Sequence, residues 1–153
     1  MLIRPAQNDD ANGIAGVLHD LVTAGKRNKP ADADFAFHHY IAHPGKIACH
    51  VAQRDDGMIL GFQSIKLAEA DNPYGAPVGW GLIGTHIRPT AARRGIGKEL
   101  FTYTLEAARI AGVPAIEAFI GINNLDGHAY YDAMGFAEYR RTETAICKSH
   151  HLS

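Results

Sequence analysis

Residues 79–100 read GWGLIGTHIRPTAARRGIGKEL, and two glycine patterns compete within them. Gly79, Gly81 and Gly84 fit G-x-G-x-x-G, the spacing of a dinucleotide turn. Further on, Arg93-Arg94-Gly95-Ile96-Gly97-Lys98 reads as a basic glycine turn that opens a helix. A dinucleotide turn works only where its glycines join a strand to the helix after it, so that the helix N-terminus meets the pyrophosphate. The first pattern fails that requirement. A loop precedes it, and the strand-like THIRP follows, closed by Pro89. No acidic residue stands about 20 residues on, after a second strand, to hold a ribose. Gly81 and Gly84 instead suit a strand that bulges or that something approaches closely.

The second pattern is in the right place. A strand ends at Arg88, a short loop follows, and a helix begins at Gly95 and runs to about Ala111, where Gly112 ends it. Ile96, Leu100, Tyr103 and Ala107 recur at helical spacing and predict its inner face. Glycines let backbone N–H groups approach an anion, and the helix dipole adds to the attraction. Arg88, Arg93, Arg94 and Lys98 supply countercharge. A Walker-type phosphate loop is excluded, because it would need Gly at Ala92 and Ser or Thr at Glu99. The bland alternative is an amphipathic helix with a glycine start and solvated arginines.

Outward from this stretch the chain reads as one domain over 1–153, with no repeat, linker or low-complexity tract. MLIRPA is a short strand. NDDANGIAGVLHDLVTAG is a helix with Ile14, Val17, Leu18, Leu21 and Val22 on one face, capped by Asn8 or Asp9 and stopped by Gly25. ADADFAFHHYIAH is a second, weaker helix ending before Pro44. KIACHVAQ and MILGFQSIKLAEA form a hairpin about RDDG, and DNPYGAPVG is a loop. After the long helix, PAIEAFI is a strand, DGHAYYDAM a short helix stopped by Gly135, and FAEYRRTETAICK one or two final strands. The order βααβββαβαβ predicts an α/β (α+β) fold with a single mixed sheet and helices on its faces.

Bulk properties narrow the function. The chain has 153 residues, enough for a real core, and is 46% hydrophobic and 20% charged, as a globular protein is. A formal net charge of −1 offers no basic face for nucleic acid, so any phosphate recognition must be local. Cys49 and Cys147 are too few for a disulfide framework and match no ligand spacing, which predicts reduced core cysteines. The N-terminus lacks a signal-peptide pattern, and no apolar run approaches membrane-spanning length. A cytoplasmic protein without a membrane partner is the expectation. His38, His39 and His43 lack a third ligand at zinc-like spacing, and His150-His151 fall in what reads as a tail, so no metal is expected.

With these residues in view, the chain resembles the GCN5-related N-acetyltransferase (GNAT) superfamily over nearly its whole length. That family's core motif is an apolar residue, x and Pro, then Q/R-x-x-G-x-G/A opening a helix. IRPTAARRGIGKEL matches it with Ile87, Pro89, Gly95 and Gly97 in register, although Ala92 stands at the Q/R position. A second motif, Asn-x-x-Ala with a later Tyr and a Gly-Phe, is met by NLDGHAYYDAMGF: Asn124, Gly127 in place of Ala, Tyr131, Gly135 and Phe136. The layout is similar to that of small bacterial enzymes acetylating phosphinothricin or methionine sulfoximine, with a departure after Phe136. The family's sheet is mostly antiparallel.

The resemblance implies acetyl-CoA bound between strands 80–88 and 114–121, which splay apart. Its pyrophosphate would sit on the amides of residues 93–98 (Arg93, Arg94, Gly95, Ile96, Gly97 and Lys98). Pantetheine would pair with backbone near His86 and Ile87, Asn124 would contact the cofactor, and Tyr131 would stand near its sulfur. The acceptor implied is a primary amine of a small molecule, attacking the acetyl group directly. A protein N-terminus and a non-catalytic acyl-CoA sensor are the alternatives. A tyrosine of ordinary pKa about 10 can protonate a departing thiolate, and Tyr131 is the candidate acid, with Tyr130 facing elsewhere. A backbone N–H from residues 85 to 87 would meet the oxyanion. His86 and Glu117 are the candidate bases, with an ordered water chain as the third choice. Asp32, Asp34, Phe35, Phe37 and Tyr40 lie in the segment that lines the acceptor site in relatives. Family members often form homodimers.

Overall fold

The computed structural model describes residues 1–152. Its elements run β1 (Leu2–Pro5), α1 (Ala11–Thr23), α2 (Ala33–Ala36), β2 (Lys46–Gln53), β3 (Ile59–Leu67), β4 (Gly81–Ile87), α3 (Ile96–Ala111), β5 (Ala115–Gly121), α4 (Leu125–Ala133), β6 (Ala137–Arg141) and β7 (Ala145–His151). The strands make one seven-stranded sheet in the order β1-β2-β3-β4-β5-β7-β6. Every neighbouring pair is antiparallel except β4 and β5, which α3 connects as a parallel crossover. The predicted mixed, mostly antiparallel sheet and element order are met, and the final segment forms two strands.

Each face of the sheet is covered by one helical layer. On the first, Ile14, Val17 and Leu18 of α1 pack with Tyr40, Val51 and Phe62. On the second, Phe101 and Ala108 of α3 pack with Ile116, Ala118 and Ile120 of β5 and with Tyr131 and Phe136. The α3 face is rotated from the expected one. Leu100, Phe101, Thr104 and Ala108 are buried, whereas Tyr103 is 46% exposed and lies against the His50 ring. Tyr103 keeps the 3.6-residue spacing from Leu100, but the helix rolls to bury Phe101, the better filler beside Phe136.

Two end-of-element expectations are corrected. Neither Asn8 nor Asp9 caps α1. A short turn over Asn8–Asp10 precedes it, and Asp10 accepts the Gln7 N–H at 2.7 Å and both Arg4 Nη atoms at 2.8 Å. Asp10 is 7% exposed, and its hydrogen bonds from Arg4 hold its carboxyl below the usual range. His150 and His151 are not a tail. They pair with Ile116 and Ala115 at the end of β7, because β5 needs an antiparallel partner on its outer edge. Cys49 and Cys147 are buried and free. Among the described residues, no helix is long and apolar enough to cross a membrane.

Candidate active site

The basic turn curls tightly ahead of α3. Arg93 (φ 63°) and Gly95 (φ 79°) both take the left-handed conformation, which curls the chain just before α3. The last bond before the helix runs from Ala92 N to Pro89 O, and the first bond of α3 from Glu99 N to Gly95 O. Among the described residues, the backbone N–H groups of 93–98 have no acceptor in the chain. They point out beside the exposed Arg93, Arg94 and Lys98 at the positive end of a 16-residue helix. A diphosphate fits that donor set. Holding Arg93 left-handed costs about 1–2 kcal/mol, since it carries a β-carbon.

Arg88 does not join this cluster. Its Nη1 pairs with Asp20 at 2.6 Å and its Nε donates to Ile59 O at 2.7 Å, which bolts the end of β4 to α1. Gly97 has a second duty besides the turn. A β-carbon there would fall 2.5 Å from Tyr130 Cε1, and the Tyr130 hydroxyl donates to Gly97 O at 2.7 Å. Gly97→Ala, a change relatives tolerate, is therefore expected here to cost about 1–3 kcal/mol and to raise the KM for acetyl-CoA several-fold. Unchanged KM and melting temperature would refute the clash.

β4 and β5 pair only at Gly81–Ile116 and Leu82–Glu117, then part. Past Leu82 a wedge opens between the two strands, with the basic turn at its upper end. Arg88 N bonds Leu60 O, and hydrogen-bonded pairs alternate along an antiparallel ladder. The backbone of His86 is thus committed to Phe62 on β3, while the N–H groups of Thr85 and Ile87 face the wedge. Of the two backbone positions expected to face a ligand, Ile87 does so and His86 does not.

Tyr131 projects from α4 toward the wedge and is 8% exposed, with its hydroxyl 2.9 Å from Thr85 Oγ1. Burial pushes its phenol above the ordinary value of 10, so it stays protonated at neutral pH. Gln63, fully buried on β3, donates from Nε2 to Thr85 Oγ1 and to the Tyr130 hydroxyl, both at 2.9 Å. Tyr130 therefore does not face elsewhere. The two phenols share one network, which runs from Tyr131 through Thr85 and Gln63 to Tyr130 and the Gly97 carbonyl. Adjacent helical residues can converge in this way because Tyr130 reaches over Gly97, where there is no side chain.

The two candidate bases are both occupied. The His86 ring is half-buried, stacked 4.8 Å from Phe62, with Arg27 Nη1 3.4 Å from its Nε2. Burial first, then nearby Arg27 and Lys29, push it from 6.5 down to about 3. Such a ring accepts a hydrogen bond but holds a proton weakly. Between pH 6.5 and about 3 the unfolded chain takes up a proton that folded His86 refuses, so stability falls as pH drops through that window. His86→Phe is expected to flatten this acid limb by about one proton, read as urea midpoints from about pH 7 to about pH 4.5. An unaltered slope would contradict the burial.

Glu117 is fully buried, on the same sheet face as His86, and its Oε1 accepts from Arg140 Nη2 at 2.7 Å, Arg140 Nε at 3.0 Å and the Tyr139 hydroxyl. The β6–β7 register slips between Glu138–Lys148 and Arg140–Cys147, leaving Tyr139 as an inserted residue. That bulge turns two consecutive side chains, Tyr139 and Arg140, onto one carboxylate. Burial and the carboxylate push the Tyr139 phenol up to about 12. Glu117 is anchored through Oε1, while its Oε2 is buried without a partner.

Asn124 accepts the Gly127 N–H at 3.0 Å and so caps α4. A β-carbon at 127 would lie 2.6 Å from Asn124 Nδ2, which explains the glycine where relatives carry alanine. On the first face of the sheet, Tyr40 stands against His86 with ring centroids 5.6 Å apart, and Phe35 packs edge-on to Tyr40 at 6.0 Å. Asp32 caps α2 through Phe35 N at 2.7 Å, Asp34 faces His38 at 3.4 Å, and Phe37 meets the His38 ring edge-on. Gln63, Thr85, Tyr139 and Arg140 were not singled out by the sequence. A polar residue inside ILGFQSIKL was the one available signal, for Gln63.

Comparison with known proteins fits this geometry. The profile of the "Acetyltransferase (GNAT) family" matches residues 15–136. No curated protein sequence matches the chain. Among solved structures, a candidate phosphinothricin N-acetyltransferase superposes with a TM-score of 0.79 at 16% identity, covering 99% of this chain and 98% of the other. The ribosomal-protein-alanine N-acetyltransferase of Brucella melitensis gives 0.78 at 20% identity, covering 99% and 100%. yncA of Salmonella typhimurium, a candidate acetyltransferase solved with its cofactor acetyl-CoA, gives 0.75 at 16% identity, covering 99% and 94%.

Proposed function

Because the chain belongs to the acetyltransferase (GNAT) family, and is thereby an acetyl-CoA-dependent N-acetyltransferase, we propose that its acceptor is the primary amine of a small molecule. The observation that carries this reading is the wedge. It brings a ligand-free donor array, two inward N–H groups and a protonated phenol to one line along β4. Bound acetyl-CoA supplies the thioester carbonyl that an amine attacks.

The chain's own residues divide the remaining work. The amides of 93–98, with Arg93, Arg94 and Lys98, bind the diphosphate, and Ile87 offers backbone to the pantetheine arm. The N–H of Thr85 or Ile87 meets the negative charge that develops on the carbonyl oxygen, an advantage because strand donors are fixed before reaction. Tyr131 donates its proton to the departing thiolate, and the proton that the amine loses on forming the amide, carried by water, restores the phenol. His86 holds a proton weakly and Glu117 is bound to Arg140 and Tyr139, so the acceptor enters as the neutral amine or loses its proton to water. Asn124 acts on the cofactor site by fixing the start of α4. Small-molecule specificity is supported by the first sheet face, where Tyr40, backed by Phe35, and Arg27 lie against the His86 ring.

Thiol release from acetyl-CoA tests the proposal against amino acids, monoamines, polyamines, an aminoglycoside and a peptide with a free N-terminus. Turnover with at least one small amine is expected. Release with the peptide alone would replace the small-molecule reading with a protein N-terminal one.

A further inference from the structure

The approach to His86 carries positive charge that nothing in the chain neutralises. Arg27, in the loop between α1 and α2, donates from Nε and Nη2 to Pro30 O at 3.2 and 2.8 Å. That clamp fixes the guanidinium 5.7 Å over the Phe35 ring and leaves Nη1 directed at His86. Lys66, half-buried on β3, holds its Nζ 5.4 Å from the Tyr40 ring of the same aromatic cluster. Among the described residues, Arg27, Lys29 and Lys66 have no carboxylate within ion-pair distance. Three acids on or facing this side of the sheet are engaged elsewhere: Asp32 in the α2 cap, Asp34 with His38, and Glu117 with Arg140; Glu69 acts on His43 from outside ion-pair distance of either cation. The His39 ring lies among the same cations, whereas Lys66 is lowered by burial alone. Burial first, then Lys66, His43, Arg27 and Lys29, push His39 down to about 4, and burial pushes Lys66 down to about 8.

A half-buried cation without a counterion is unfavourable, and two of them beside one aromatic wall repel any further cation. We propose that the acceptor carries an oxyanion, such as a carboxylate or phosphate, beside its amine, and that Arg27 and Lys66 bind it. This rests on the small-amine reading above and deepens it. Gly84 gives the arrangement its room: a β-carbon there would sit 3.2 Å from Ser64 Oγ and 3.5 Å from His86 Cε1. The amine therefore reaches the wedge over Gly84, while its anionic substituent stays on the Arg27 side. Polyamines and aminoglycosides meet like charge on this route.

The test pairs acceptors that differ in charge alone. L-Alanine, L-methionine, L-phenylalanine and L-glutamate are each measured against the corresponding α-amide, and O-phosphoethanolamine against ethanolamine, with putrescine as the dication. Values of kcat/KM are compared per neutral amine, because the amides are weaker bases. A charge-assisted hydrogen bond predicts that the best acid exceeds its amide by about 10- to 100-fold, with putrescine poorest. Arg27→Gln collapses that ratio through the acceptor KM, Arg27→Lys restores part of it, and Lys66→Met lowers it independently. Amides equal to or better than their acids would overturn the proposal, as would Arg27→Gln weakening acid and amide alike. Equilibrium binding of each pair in the presence of coenzyme A separates the two readings. Preference for the acid without turnover sustains the anion site and sinks small-amine transfer, whereas turnover or binding without preference sinks the anion site alone.

Discussion

Tyr131→Phe lowers kcat about 100-fold while acetyl-CoA still binds with nearly its original affinity. The Tyr131 hydroxyl lies 2.9 Å from Thr85 Oγ1 on the strand lining the gap, whereas the Tyr130 hydroxyl donates to the Gly97 carbonyl. General acids contribute roughly 10²–10⁴-fold, and a thiolate, being a good leaving group, draws on the low end of that range. Loss of the ring's packing is not involved, since Phe retains its contacts with Phe136. Tyr130→Phe makes the informative contrast, because its hydroxyl serves the Gly97 carbonyl. It should raise the KM for acetyl-CoA and leave kcat closer to wild type. With the Tyr131 phenol raised by burial, kcat should also show no basic decline between about pH 7 and about pH 9.5. Steady-state kinetics of both variants decide the point. An unchanged kcat in Tyr131→Phe would make Tyr131 a core aromatic only.

Glu117→Leu destabilises the fold by about 3 kcal/mol, the low end for breaking a buried ion pair. The low end applies because the Arg140 side chain is 26% exposed and keeps its bond to Tyr74 O at 2.8 Å. For a chain of this size the melting temperature should fall by roughly 6–12 °C. The double variant Glu117→Leu/Arg140→Met should recover most of the loss, since well-packed apolar replacements of buried pairs are often neutral. Thermal unfolding of the single and double variants tests this. A single variant that melts within about 2 °C of wild type would show that β6 does not depend on the carboxylate.

The strand, turn and helix over 80–111 were legible because their signals are local. Pro89 ends a strand, Gly95 and Gly97 open a helix and Gly112 closes it, each through backbone conformation that needs no distant partner. The Tyr131 position was likewise fixed by motif spacing. What sequence spacing could not reveal was which side of a strand or helix a group spends on its neighbours. His86 reads as an exposed strand base, yet the register with β3 turns its ring under Tyr40 and its backbone away from the wedge. Glu117 reads as available until a one-residue slip in β6 sends Tyr139 and Arg140 to it. Arg88 was counted with the phosphate cluster because it is near in sequence. Only the packing of α1, with Gly16 leaving room for the guanidinium, takes it to Asp20. In each case the deciding contact joins residues far apart in the chain, which periodicity does not encode.

The left-handed Arg93 gives the protein a conflict between durability and activity. Replacing it with glycine would relax the backbone and add about 1 kcal/mol of stability, yet remove one cation from the anion turn. A variant selected for heat resistance alone would tend to acquire that glycine and to bind its cosubstrate less well. If Arg93 binds the cosubstrate as proposed, the most thermostable form of this sequence is not its most active form, and a single φ angle is where the two requirements diverge.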